Sequence, residues 1–217
     1  MELNKMEEIR SDLKQLTLLL LERGFNPHSF IEIGSRDGDD TNALCHWWKL
    51  NPNNCYIIEA HPECYKHITH YYPQYNSFNI AASNKTEVTN FNAGIIGKEK
   101  NIGISSILTR TLSPFKSNVI EVDGWRMEDF MEKLSIDNFD FMKIDVEGFS
   151  LQVLKGFGSK IKKTKYIQME VETKEVWENQ SYYKEILKYM KTMGFELLDK
   201  IVLDQYQNDI LLENIKI

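Results

Sequence analysis

The segment Lys143-Ile144-Asp145-Val146-Glu147-Gly148 alternates charged and apolar residues. Side chains two residues apart on a strand point the same way, so Lys143, Asp145 and Glu147 would share one side of a regular strand. Charged residues on a central strand are rarely buried unless they are paired. The segment therefore predicts either an ion pair of Lys143 with Asp145, with Glu147 facing the next helix, or a site where these residues are catalytic. In the second case we favour Glu147 as the proton acceptor.

Two other places carry residues that could act in the same site. Glu170 and Glu172 repeat the same-side spacing, and they could hold substrate, share a magnesium ion with Asp145, or form a solvated strand end. The sequence contains no D-D-N set, so no metal is predicted. His61 follows the second strand and is a further candidate proton acceptor.

A glycine-containing turn, Gly34-Ser35-Arg36-Asp37-Gly38, follows the first predicted strand, and Thr41 opens the next helix. Two glycines allow a sharp turn and a close approach to a ligand at the carboxyl edge of a parallel sheet. The spacing departs from G-x-G-x-x-G, and Arg36 with Asp37 would crowd a pyrophosphate but leave room for a zwitterionic ligand.

Glu59 ends the second strand, where a carboxylate can accept hydrogen bonds from the two hydroxyls of a ribose. The alternative is a solvated acid at a strand end. Together with the glycine turn, Glu59 predicts a cofactor that contains adenosine. The predicted cofactor-binding residues are Glu32, Gly34, Ser35, Arg36, Gly38, Thr41, Glu59, Ala60, Ala82 and Asp145.

Short apolar runs alternate with helical stretches after Pro27, which is typical of βα units and a mostly parallel sheet. The predicted strands are Phe30 to Gly34, Tyr56 to Ala60, Ser77 to Ala82, Phe139 to Val146 and Tyr166 to Val171. The predicted helices lie near Asp40 to Leu50, Glu63 to Tyr72, Met127 to Leu134, Leu151 to Phe157 and Tyr182 to Met193. Phe195 to Val202 and Asp209 to Glu213 predict a C-terminal antiparallel hairpin, which brings the sheet to seven strands with helices on both faces.

Two segments do not follow this alternating pattern. Leucines spaced by three and four predict an amphipathic helix from Met1 to Arg23, closed by Gly24, which packs on the sheet or serves as a lid or an oligomer contact. Residues 86–122 are irregular, and we predict a loop or small hairpin insertion near the substrate site. Trp125 and Trp177 could line an acceptor pocket or pack in the core.

The composition sets limits on partners and compartment. With 217 residues the chain fits a single domain, and a net charge of -6 speaks against a phosphate backbone as partner. Cys45, Cys55 and Cys64 lack C-x-x-C spacing, so neither a disulfide framework nor a zinc site is predicted. No stretch is apolar for the length of a membrane span, and we predict a cytoplasmic protein.

The segment from Lys143 to Gly148, continued by Leu154-Lys155-Gly156, resembles the K-I-D-V-E-G...L-K-G signature of the FkbM-type methyltransferase family. Three earlier segments occur in the same order as in that family: the glycine turn, Ile58-Glu59-Ala60-His61-Pro62, and Gly103 to Ile107. Glu32, Ser35-Arg36 and Ala60-His61 depart from its more common residues. The resemblance implies a Rossmann-like class I fold, S-adenosylmethionine as cofactor, with Asp145 near its charged end, and O-methylation of a sugar or other small molecule.

The sequence is also compatible, in part, with three other functions. An RNA cap or ribose 2'-O-methyltransferase would use a Lys-Asp-Lys-Glu set and a basic groove. A nicotinamide oxidoreductase shares the fold, but the chain lacks its glycine fingerprint. A non-catalytic protein could keep the nucleoside pocket for regulation, and it would bind cofactor without turnover.

Overall fold

The structure is a computed structural model that describes residues 11–95, 103–113 and 116–217. The strands of the described part are β1 (Phe30–Ile33), β2 (Cys55–Ile58), β3 (Asn76–Phe78), β4 (Ala81–Ser83), β5 (Glu87–Gly94), β6 (Ser117–Arg126), β7 (Phe141–Ile144), β8 (Tyr166–Glu172), β9 (Phe195–Val202) and β10 (Gln207–Asn214). Its α-helices are α1 (Ser11–Glu22), α2 (Asp39–Trp47), α3 (Pro62–Tyr71), α4 (Met127–Lys133), α5 (Ser150–Gly156) and α6 (Tyr183–Met193). No helix within those ranges combines the length and the apolar character that crossing a membrane requires.

The main sheet has seven strands in the order β3-β2-β1-β7-β8-β10-β9. The first five strands of this order run parallel, and β10 is antiparallel to both β8 and β9. This confirms the predicted α/β fold with a mostly parallel sheet and a C-terminal antiparallel hairpin. Because the chain leaves β1 toward β2 on one side and later returns to β7 on the other, a crevice forms at their carboxyl ends.

Both faces of the sheet are covered, which explains why β1 and β7 are buried along their whole length. On one face α1, α2 and α3 contribute apolar side chains to a core around Phe30 and Phe141. On the other face α4, α5 and α6 pack against Ile31, Ile33 and Ile144. Strand residues therefore alternate between two apolar cores, and the site lies where the strands end.

Helix α1 is the described part of the predicted N-terminal helix, whose first ten residues lie outside the described ranges. Leu13, Leu16 and Leu20 are fully buried in the core shared with the sheet. At the end of the helix Gly24 has φ +74°, and the N–H of Phe25 donates to the carbonyl of Leu20. The described residues of α1 pack on the sheet, as predicted. A role of this helix in an oligomer contact stays a prediction.

The predicted strand from Ser77 to Ala82 is wrong in one respect, because the chain divides it between two sheets. Strand β3 stays in the main sheet, whereas β4 joins β6 and β5 in a second sheet of three strands. Between them the side chain of Asn79 donates to the carbonyls of Glu59 and Ala60, which ends the pairing with β2. In the predicted insertion, β5 and β6 pair antiparallel as a hairpin; residues 96–102 and 114–115 lie outside the described ranges.

Candidate active site

A cavity of about 340 Å³ opens at the carboxyl ends of β1, β2 and β7. The residues that line it include many that the sequence singles out: Gly34, Ser35, Arg36, Glu59, Ala60, Ala82, Lys143, Asp145, Glu147 and Glu170. The hairpin insertion contributes Phe91 and residues 103–107. The structure therefore brings most of the predicted cofactor residues and the predicted catalytic carboxylates to one cavity, with the insertion beside them.

The glycine turn positions the end of β1 against the end of β7. Gly34 has φ +81°, and a Cβ added to it would lie 1.8 Å from the carbonyl oxygen of Asp145. The N–H of Gly34 donates to the carbonyl of Ile58 at 2.9 Å. Arg36 and Gly38 also have positive φ, +60° and +86°. Glycine at position 34 is therefore required both by its backbone conformation and by the approach to Asp145.

Glu32 lies beneath this turn and is fully buried. Its carboxylate accepts hydrogen bonds from the hydroxyls of Ser35 and Thr41, at 2.7 and 2.5 Å, and pairs with the ammonium of Lys143 at 2.7 Å. Burial raises the pKa of Glu32, although Lys143 acts in the opposite direction. Neither Glu32 nor Thr41 is among the residues that line the cavity. In the structure these two predicted cofactor residues support the turn from below.

Lys143 contacts two carboxylates on neighbouring elements. It is the register partner of Glu32 across β1 and β7, and its ammonium also lies 3.0 Å from the Asp40 carboxylate at the start of α2. Sequence reasoning missed Asp40, although an acid in the first helical turn after the glycines was the available signal. The two ion pairs make Lys143 a counter-ion that joins β7, β1 and α2.

Glu59 presents a carboxylate at the end of β2. The backbone N–H groups of Arg36 and His61 each donate to one of its oxygens at 2.7 Å. Burial raises the pKa of Glu59 to about 7, and the hydrogen bonds from the two N–H groups partly offset that effect. Each carboxylate oxygen has two lone pairs, so Glu59 keeps acceptor capacity for hydroxyl donors.

His61 is used by the fold. It caps α3, where Nδ1 accepts from the N–H of Glu63 at 3.2 Å, so its proton is on Nε2, which donates to the carbonyl of Gly94 at 2.9 Å. His61 and Gly38 are not among the cavity-lining residues. The side chain of His61 ties α3 to the end of β5, and it does not line the cavity with Asp145, Glu147 and Glu170.

Strand β7 ends at Ile144, so Asp145 and Glu147 lie beyond it. A turn, and not the strand, positions Glu147. Glu147 and Gly148 have φ +51° and +86°, and the N–H of Phe149 donates to the carbonyl of Val146, a pattern typical of a type I′ turn. The expectation of three charges on one regular strand is therefore wrong for Glu147.

Neighbouring segments support this turn. A Cβ on Gly148 would lie 2.7 Å from the ring of Trp177, which is fully buried, and Ser106 donates its hydroxyl to the carbonyl of Glu147 at 2.7 Å. Trp177 and Trp125 are absent from the residues that line the cavity, so the structure assigns neither to its wall. Trp177 packs beneath the turn, and Ser106 connects the turn to the insertion.

The carboxylates of Asp145, Glu147 and Glu170 form a cluster in which one oxygen from each lies within 4.8 Å of the others. Burial raises the pKa of Glu147 well above its ordinary value, and the charges of Asp145 and Glu172 add to this effect. The pKa of Glu170 is raised in the same way, first by burial and then by Asp145. Groups held in this manner can keep a proton near neutral pH or bind a cation.

Comparison with known proteins identifies the family. The family model described as the Methyltransferase FkbM domain matches residues 32–197, which is more than half of the chain. No curated protein matches the chain.

Solved structures show the same fold at low identity. The FkbM methyltransferase from Methylobacillus flagellatus KT is 12% identical with a TM-score of 0.53; 86% of this chain is covered, and it spans 44% of that protein. Magnesium protoporphyrin IX methyltransferase from Synechocystis PCC 6803, with bound S-adenosylmethionine, is 10% identical with a TM-score of 0.53, covering 93% of this chain and 77% of that one. TrmK from M. capricolum, in complex with S-adenosylhomocysteine, is 13% identical with a TM-score of 0.55, covering 96% and 70%. The match over residues 32–197 shows that the chain belongs to the FkbM methyltransferase family, as its sequence predicts.

Proposed function

We propose that this chain transfers a methyl group from S-adenosylmethionine to a hydroxyl group of a sugar or another small molecule, in the cytoplasm. The observation that carries the proposal is that Glu59 and the cluster of Asp145, Glu147 and Glu170 line one cavity. One end of that cavity suits a ribose, and the other carries groups that can handle a proton.

The residues present fit the cofactor. Glu59 would accept the ribose hydroxyls, because its carboxylate is already oriented by the N–H groups of Arg36 and His61. Gly34 lets the turn approach the backbone of Asp145 at the cavity wall, and Ile80 with Ala82 supplies apolar lining suited to a purine. When bound, S-adenosylmethionine supplies a methyl group that its sulfonium already activates.

The chain must then orient an acceptor hydroxyl and receive its proton. Glu147 is the proposed proton acceptor, since burial and neighbouring carboxylates raise its pKa and so make its carboxylate a stronger base. The proton moves from the acceptor oxygen to the Glu147 carboxylate. Phe91 and residues 103–107 of the insertion are the proposed contacts of the acceptor.

The charge of the cavity favours this acceptor class over RNA. Three carboxylates at the cavity would repel a phosphate backbone, and the net charge of -6 gives no compensating field. A nicotinamide dinucleotide would bring two phosphates to the same acidic surface. An acceptor without phosphate groups is the better match.

Calorimetry tests the cofactor site directly. S-adenosylmethionine, S-adenosylhomocysteine and NAD are titrated separately into wild type, Glu59→Gln and Glu63→Gln, an exposed acid on the adjacent helix. We expect micromolar binding of the first two ligands, weakened about 10- to 100-fold only in Glu59→Gln, because hydrogen bonds to a charged group contribute about 1.5–3 kcal/mol. Binding of NAD alone, or of none of the three, would refute the proposal.

Turnover is then measured with a radiolabelled methyl group and a panel of sugars and other hydroxyl compounds. Replacing Glu147 by Gln should lower kcat about 10²- to 10⁴-fold and leave the affinity for S-adenosylhomocysteine unchanged. Cofactor binding without turnover on any hydroxyl acceptor would favour the non-catalytic alternative. Turnover that survives Glu147→Gln would remove this residue from the mechanism.

A further inference from the structure

The cluster contains three carboxylates, although accepting one proton requires only one. Asp145 and Glu147 follow β7, Glu170 lies on β8, and all three line the cavity. One oxygen from each lies within 4.8 Å of the other two. Like charges at this spacing repel one another unless something neutralises them.

A fourth carboxylate lies behind them and gives an independent indication of a ligand. Glu172 is 1% exposed, and its Oε2 atom has no hydrogen-bond partner among the residues that the structure describes. It follows Glu170 by two residues on β8 and so lies on the same side of the strand. Its charge raises the pKa of both Glu147 and Glu170.

We propose that Asp145, Glu147 and Glu170 bind one divalent cation of the Mg²⁺ class, with the buried carboxylate of Glu172 completing the negative charge around it. A set composed only of oxygen donors selects a hard cation over zinc or copper. Ligand oxygens on opposite sides of one ion are about 4 Å apart for Mg²⁺ and about 5 Å apart for Ca²⁺. Carboxylate oxygens within 4.8 Å of one another therefore fit one Ca²⁺ coordination sphere, and Mg²⁺ would draw them closer together.

The role of the cation rests on the proposed function. Three protein ligands leave positions for water or for oxygens of the acceptor, whose hydroxyl would be oriented and made more acidic there. A carboxylate has two oxygens, so Glu147 could bind the cation through one of them and receive the proton on the other.

Binding of Mn²⁺ alone, followed by electron paramagnetic resonance without cofactor or acceptor, tests the site. We expect one saturable Mn²⁺ per chain, displaced by Mg²⁺, with at least about tenfold weaker binding in Glu170→Gln and in Glu172→Gln. Glu175→Gln, which changes an exposed acid three residues beyond Glu172, is the matched control and should bind like wild type. Absence of saturable binding, or equal affinity in all four proteins, overturns the inference.

A second measurement serves if a carboxylate variant does not fold. Trp177 packs against Gly148, next to Glu147, so Tb³⁺ bound at the cluster should emit on tryptophan excitation. This emission should fall in Trp177→Phe and compete with Mg²⁺; no emission from wild type would overturn the inference.

The outcomes separate this inference from the proposed function. Mn²⁺ binding without methyl transfer to any hydroxyl would support the cation site and refute the acceptor class. Methyl transfer that is unaffected by a chelator, in a protein that binds no Mn²⁺, would refute the cation site alone.

Discussion

Replacing Gly34 by Ala tests whether the contact between the glycine turn and Asp145 organises the site. The added Cβ would lie 1.8 Å from the carbonyl oxygen of Asp145, and that distance must lengthen by at least roughly 1.6 Å to reach an ordinary van der Waals contact. The N–H of Asp145 donates to the carbonyl of Ile33 at 2.9 Å, so the shift would strain the pairing of β1 with β7 as well.

Gly24→Ala provides a matched control. Gly24 has φ +74°, close to the +81° of Gly34, but a Cβ added there meets nothing within 4 Å. A left-handed backbone costs an alanine about 1–2 kcal/mol, and reduced freedom of the unfolded chain offsets about 0.4–1 kcal/mol of this. We therefore expect Gly24→Ala to lower the free energy of unfolding by about 1 kcal/mol.

Gly34→Ala carries the same backbone cost and a steric one. Overpacking adds about 1–3 kcal/mol, so the total loss should be about 2–4 kcal/mol. Urea denaturation of wild type and both variants, with two-state analysis, measures the difference. Calorimetry with S-adenosylhomocysteine should show weaker binding only in Gly34→Ala. Equal losses of stability in the two variants, within about 0.5 kcal/mol, would refute the role assigned to the close approach.

Three further predictions concern charged groups. Lys143→Met should lower the free energy of unfolding by about 3–5 kcal/mol, because it leaves the buried Glu32 without its cation; a loss below about 1 kcal/mol in urea denaturation would contradict this. Lys66→Ala, which removes only an exposed ion pair with Glu63, should leave the urea midpoint unchanged, and a clear shift would show that the pair matters. Burial raises the pKa of Glu59 to about 7, so the folded chain favours its protonated form, and this contribution is lost as the pH rises through 7. The stability of Glu59→Gln relative to wild type should therefore rise by about 2 kcal/mol from pH 5 to pH 8, and a pH-independent difference would contradict the raised pKa.

The sequence alone was sufficient to predict which strand ends carry the residues of the candidate site. Apolar runs that end in Gly34, Glu59 and Asp145 identify strand ends, and parallel strands bring such ends to one edge of a sheet. These residues line one cavity in the structure. Strand ends can be inferred in this way because the period of apolar residues is a local property of the chain.

The tertiary structure decided which groups touch one another. Lys143 pairs with Glu32 because the register of β1 and β7 places the two residues side by side. The ring of His61 hydrogen-bonds to Glu63 on α3 and to Gly94 on β5, which lies far from it in the sequence. A turn, rather than the strand, sets the position of Glu147. Strand register, turn conformation and burial depend on packing between segments far apart in the chain, and spacing along one segment does not encode them.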